Sequence, residues 1–180
     1  MEPKHVPFVI ERARAEDGAA LLQYLKIIGG ETNNLSFGPE GVPLSVEAEE
    51  AYLRVQEGSA DNVQYLARVD GEIIGTASLN RKPNRMRHCG EFGISLKKAW
   101  WGCGAASALM EAILAFAREN GFEQLNLEVR PRHPAVREVR LPEAVYLPSL
   151  FQDRRRIYRF RPDESGTERR VQLMAGKSAR

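Results

Sequence analysis

The sequence predicts an α/β fold, and two stretches carry that prediction. Val63–Val69 and Glu72–Leu79 are strand-like runs joined by Asp70-Gly71, a dipeptide suited to a two-residue hairpin turn because both positions tolerate positive φ. Further on, Glu91–Leu96, a glycine turn, a long amphipathic segment and Gln124–Val129 read as a strand-turn-helix-strand unit, whose crossover is expected to be right-handed. A chain of 180 residues, 43% apolar and 28% charged, suits one domain able to bury its own core.

Taken in order, Phe8-Val9-Ile10 is a short first strand. Arg14-Ala15-Glu16-Asp17 opens a helix whose apolar positions run from Ala19 to Ile28, with acids at the positive end of the helix dipole. Gly29-Gly30 is expected to stop it. Glu31 to Val42 reads as a loop rich in Asn, Gly and Pro. Ser45 is the candidate N-cap of a second helix, roughly 46–57, ending near Gly58. The hairpin follows, then a polar, basic loop from Asn80 to His88. After Glu91–Leu96 and Gly102-Cys103-Gly104 comes a helix to about Asn120, with Ala105, Leu109, Ala112, Ile113, Phe116 and Ala117 on its apolar face. Asn120-Gly121 caps it before the strand Gln124–Val129.

Composition excludes several classes. The longest apolar runs are only a few residues, too short to span a bilayer, and Met1-Glu2-Pro3-Lys4-His5 does not begin a secretory leader. Cys89 and Cys103 make neither a disulfide framework nor a metal-ligand spacing, and His5, His88 and His133 are scattered, so no metal is expected and a cytoplasmic, reducing setting fits. Net charge is +2 but unevenly spread. Residues 1–130 hold 14 Lys/Arg against 18 Asp/Glu, whereas residues 131–180 hold 12 against 6 and half of the ten prolines. A basic tail is a footprint of nucleic-acid binding, but Tyr146, Phe151, Tyr158 and Phe160 form no reader motif.

The chemistry concentrates at the glycine turn. A strand enters Gly102-x-Gly104-x-Ala106 and continues directly into a helix, whose first turn offers unpaired N–H groups and a partial positive charge. Small residues let a pyrophosphate reach the backbone, and Ser107 offers a hydroxyl. Glycine pairs also serve ordinary tight turns, and neither the dinucleotide fingerprint nor the P-loop is met.

With these residues in view, the sequence resembles the GNAT superfamily of N-acetyltransferases. That family's acetyl-coenzyme A signature is Gln/Arg-x-x-Gly-x-Gly/Ala at a strand-to-helix turn, and Trp101-Gly102-Cys103-Gly104-Ala105-Ala106 occupies the place, with Trp101 where Gln or Arg is usual. The likeness covers about 7–130. It implies a mixed, mostly antiparallel sheet flanked by helices and direct transfer of an acetyl group from acetyl-CoA to a small-molecule or peptide amine. It also implies a splayed strand whose main chain, here Ile94, Ser95 and Leu96, binds the pantetheine arm and polarises the thioester carbonyl. Trp101, Gly102, Cys103, Gly104, Ala105, Ala106 and Ser107 are the expected pyrophosphate site. Glu91 is the candidate base that deprotonates the amine, because family members place a carboxylate on this strand; an ordinary exposed strand acid is the competing reading. Cys103 reads as a small turn residue, Trp100 and Trp101 as packing at the turn. By family analogy Gly29 to Leu35 borders the acceptor pocket; a plain connecting loop is the competing reading.

After residue 130 the likeness stops. The family continues with a helix of the pattern A-x-x-L-Y-x-x-x-G-F, whose Tyr protonates the leaving thiolate, and two closing strands. Residues 131–180 show neither, and Pro131, Pro134, Pro142 and Pro148 would break a helix. Read one nucleotide later from about residue 131, however, the gene can spell A-I-R-L-Y-E-K-x-G-F-R-K and then, from Phe151 to Glu164, F-K-I-D-G-E-Y-I-D-x-x-L-M. The expectation is an acetyl-CoA-binding body over 1–130 and an out-of-frame tail over 131–180 that is not natively packed, leaving the C-terminal part of the fold incomplete.

Overall fold

The computed structural model describes residues 7–129, 158–162 and 169–174. Seven strands form one sheet in the order β1-β2-β3-β4-β5-β7-β6: β1 Val9–Arg12, β2 Asn62–Val69, β3 Glu72–Arg81, β4 Cys89–Leu96, β5 Gln124–Val129, β6 Tyr158–Pro162 and β7 Arg169–Met174. Every neighbouring pair is antiparallel except β4 and β5, which are parallel and joined through α3, Ala105–Glu119. The mixed, mostly antiparallel α/β architecture is thus present.

Local chemistry accounts for the elements. Asp70 and Gly71 both take positive φ, 47° and 83°, which matches the twist of the β2–β3 hairpin. The Ser45 hydroxyl accepts from the Ala48 amide at 3.2 Å and starts α2, Val46–Gln56. At the end of α3, Gly121 takes φ 70° and the Asn120 side-chain amide donates to the Phe116 carbonyl at 2.8 Å.

One boundary differs. The first helix, α1, spans Gly18–Glu31 and runs through Gly29-Gly30 instead of stopping there. Gly29 serves a different need: a Cβ on it would lie 2.0 Å from the Gly38 carbonyl oxygen, so its missing side chain admits the following loop. The acids Glu16 and Asp17 lie just before α1, in a 3-10 turn.

The sheet buries both faces. Leu79, Phe92, Leu109, Ile113, Phe116 and Phe122 form the core under α3, while Leu21, Tyr24, Ile28, Leu53, Leu66 and Ile73 form the smaller core under α1 and α2. On α3, Leu114 is buried in addition to the periodic positions, whereas Ala112 is half-buried.

Beyond residue 130, β7 pairs with β5 from Gln124↔Met174 to Val129↔Arg169, and β6 forms the sheet edge, with Pro162 as its last residue. These pairings use main-chain donors and acceptors, which every residue except proline supplies in full. The tail's remainder, 131–157, 163–168 and 175–180, lies outside the described residues, as does the position of the family's helix.

Candidate active site

β4 is paired on both sides only over its first half. Its parallel partnership with β5 covers Cys89↔Gln124, Gly90↔Leu125 and Glu91↔Asn126, whereas pairing with β3 continues to Leu96↔Gly75. Past Glu91, β4 and β5 therefore part. Which main-chain groups face the gap follows from alternation. The Lys97 N–H donates to the Ile74 carbonyl on β3 at 2.8 Å, so Ser95 and Gly93 also point their main-chain groups toward β3. Those of Ile94 and Leu96 point the other way, into the opening.

At the end of β4 the chain makes the glycine turn. Gly102 and Gly104 take φ 81° and 89°, and a Cβ on either would meet nothing within 4 Å. Gly104 is the N-cap residue of α3, and the first intrahelical bond runs from the Ala108 N–H to its carbonyl at 3.1 Å. The amides of Ala105, Ala106 and Ser107 precede that bond and have no helical acceptor. No acid sits in this first turn. Gly102, Gly104, Ala106 and Ser107 are exposed, while the Ala105 side chain is buried in the core. The turn is thus open to an anion from solvent, with Ala105 offering only its main chain.

Of the two tryptophans, Trp100 packs against the α3 core, but Trp101 is 63% exposed. Its indole N–H donates to the Leu96 carbonyl at 3.1 Å. Trp101 therefore bridges the turn and the open strand instead of packing. Cys103 is half-buried against the α3 core, as a small turn residue would be.

The opposite face of the sheet holds residues that sequence inspection did not single out. Tyr24, 1% exposed on α1, places its phenol oxygen 2.9 Å from the Ser95 hydroxyl. Burial pushes the phenol well above its ordinary range, against the opposing pull of the Ser95 hydrogen bond. Lys97, 7% exposed, lies 5.8 Å from the Tyr24 ring and pairs with Glu72 at 2.6 Å. Glu31, at the end of α1, accepts from the Lys98 N–H at 2.7 Å and so ties α1 to the exit of β4.

Thr76, Ser78 and Asn80 alternate with the core residues Ala77 and Leu79 along β3. On β4, Glu91, Gly93 and Ser95 lie directly across from Asn80, Ser78 and Thr76. Asn126 on β5 is level with Glu91. This face is thus a polar strip beside the α1/α2 core. Its period-2 signal was present in the sequence, but nothing there said which face would be polar and why.

Glu91 sits on that strip, 47% exposed at the side chain, with the Lys82 ammonium 3.4 Å away. It shares a face with Ser95, four residues along β4 or about 13 Å. Among the described residues no three His, Cys, Asp or Glu side chains converge as metal ligands, and no helix is long and apolar enough to cross a membrane.

The acetyltransferase (GNAT) family model matches residues 32–139. No curated protein matches the chain. Among solved structures, the chain is similar to an acetyltransferase of the GNAT family from Streptococcus pneumoniae, with 25% identity and a TM-score of 0.74 over 94% of this chain and all of that one. It shares its fold with yncA from Salmonella typhimurium, solved with its cofactor acetyl-CoA, at 16% identity and TM-score 0.70 over 97% of each chain. A phosphinothricin acetyltransferase from Sinorhizobium meliloti, in complex with acetyl-CoA, superposes with TM-score 0.65 at 19% identity, over 94% of this chain and 89% of that one.

Proposed function

The chain belongs to the GNAT family of acetyltransferases, and from that premise we propose that it transfers the acetyl group of acetyl-CoA directly to an amine. The observation that carries this reading is the parting of β4 from β5 after Glu91, immediately before an open, acid-free helix start. The gap exposes the main chain of Ile94 and Leu96 to an extended pantetheine arm, and the amides of Ala105, Ala106 and Ser107 suit the pyrophosphate. Gly102 and Gly104 supply the positive φ and the clearance for a close approach.

In the reaction the amine lone pair attacks the thioester carbon. The N–C bond forms, the C–S bond breaks, one amine proton is lost and the coenzyme sulfur gains one. A main-chain N–H on β4 stabilises the oxyanion. Glu91 is the base, acting through water because of its distance from Ser95. Its place on the same face as Ser95 supports the role.

Residues 1–130 form the acetyl-CoA body on this reading, and 131–180 are translated out of frame, without the tyrosine that protonates the thiolate. The family match itself runs on to residue 139, past that division. The missing tyrosine favours a second reading, a coenzyme A-binding fold without turnover.

Calorimetric titration with acetyl-CoA, on this chain and on a frame-corrected one, tests the assignment. Binding by either supports the cofactor site; binding by neither overturns it. Thiol release with an amine present separates enzyme from binding module. An uninterrupted gene frame whose close relatives share the basic tail would overturn the frame-shift.

A further inference from the structure

Thirteen glycines lie among the described residues, and the fold explains eleven of them. Six take positive φ, and at five others a Cβ would come within 3.0 Å of a neighbouring atom. The remaining two are Gly30, on α1, and Gly93, inside β4.

A glycine weakens a strand, and inside a sheet it marks a bulge, a close backbone or a bound ligand. At Gly93 the first two are absent. The β3–β4 register runs unbroken from Gly75↔Leu96 to Arg81↔Gly90, so there is no bulge. A Cβ on Gly93 would meet only the Ser78 hydroxyl oxygen, at an ordinary 3.7 Å, so no backbone crowds it. Gly93 is also exposed.

Its place is between the two parts of the proposed site. Gly93 lies on the polar strip, with Glu91 before it and Ser95 after it on the same face of β4. β5 has already left at Glu91↔Asn126, so the bare backbone of Gly93 borders the opening beside Ile94. Here the polar face and the gap meet. Glu91 is two residues away, about 7 Å along the strand, a span its side chain and one water can cover.

We propose that the attacking nitrogen of the acceptor lies against Gly93, which makes residue 93 a specificity-determining position for the amine. The missing side chain leaves the room through which the nitrogen reaches the thioester from the polar face. The inference rests on the acetyltransferase reading, and the two fail in different ways.

Two ligands separate the cofactor side from the amine side. One is acetyl-CoA. The other is a coenzyme A conjugate whose sulfur carries CH2–CO–NH–butyl, so that an amide nitrogen stands in for the attacking one. Both are titrated calorimetrically into the parent, Gly93→Ala and Gly93→Val, in this chain and in its frame-corrected form. Gly93→Val is expected to weaken the conjugate by about tenfold or more, as overpacking does, and to leave the acetyl-CoA Kd within about twofold. Gly93→Ala should weaken the conjugate by about threefold. Because the fold has room for the new methyl group, Gly93→Ala should also melt about 1–4 °C above the parent. Undiminished conjugate binding overturns the proposal. So does a parallel loss of acetyl-CoA affinity, which would put Gly93 in the pantetheine channel, or a lower melting temperature for Gly93→Ala, which would make the glycine a need of the fold. If Gly93→Val does not fold, the alanine variant decides. Failure of acetyl-CoA to bind either parent form overturns the acetyltransferase reading and this inference with it.

Discussion

The phenol oxygen of Tyr24 on α1 and the hydroxyl oxygen of Ser95 on β4 lie 2.9 Å apart, 71 residues apart in sequence. The contact joins α1 to the strand proposed to hold the thioester, so its loss should register in both stability and turnover. The two ends are not equivalent. Tyr24→Phe leaves the half-buried Ser95 hydroxyl, which can turn to water, and should cost about 1 kcal/mol. Ser95→Ala leaves the buried phenol with only the Thr76 main chain and should cost more, roughly 1–3 kcal/mol. Urea unfolding of both variants and the double mutant checks the order; equal costs would contradict it.

The same burial has a pH consequence. With the phenol raised above its ordinary value of 10.0, the folded state holds a proton that the unfolded chain releases. This contribution is complete below pH 10 and is lost as pH rises above it. Alkaline unfolding of the parent should therefore steepen beyond pH 10, and Tyr24→Phe should remove that share of the slope.

Trp101 holds the Leu96 carbonyl that faces the β4–β5 opening. A pantetheine amide competing for that carbonyl must displace the indole. Trp101→Phe removes the competitor and should tighten acetyl-CoA binding by about fivefold, one ordinary hydrogen bond. Calorimetric Kd values for parent and variant decide; weaker binding would make the indole a cofactor contact instead.

Gly104 combines φ 89° with open space where a Cβ would stand. A β-branched side chain there is strained and projects toward the proposed pyrophosphate. Gly104→Val should lower stability by about 1–2 kcal/mol and abolish acetyl-CoA binding. A variant that folds and binds normally would remove the turn from the site.

Adjacent glycines in α1 should respond oppositely to alanine. At Gly29 the new Cβ would sit 2.0 Å from the Gly38 carbonyl oxygen, so the loop must move, at a cost of about 1–3 kcal/mol. At Gly30 the nearest atom is the Pro39 Cβ at 3.7 Å, and helix propensity should stabilise by about 0.5–1 kcal/mol. Thermal melts of the two variants test the pair.

Periodicity and turn chemistry made the α/β order legible to residue 129: the Asp70-Gly71 hairpin, the Ser45 cap and the Gly102/Gly104 turn are local devices, and local sequence suffices for them. The resemblance to the acetyltransferase signature rests on the same contiguous turn. Gly29-Gly30 shows where local reading failed. The pair looks like a stop signal, yet Gly29 is there because a loop nine residues later passes against the helix. Contacts between distant segments decided the rest: that β4 leaves β5 after Glu91, that Tyr24 meets Ser95, and that Trp101 reaches back to Leu96. Glu49 is one of five glutamates between Ile27 and Leu53. Only the packing of α2 against the sheet makes it the buried one, because burial depends on which helix face meets the core and not on the residue's own chemistry.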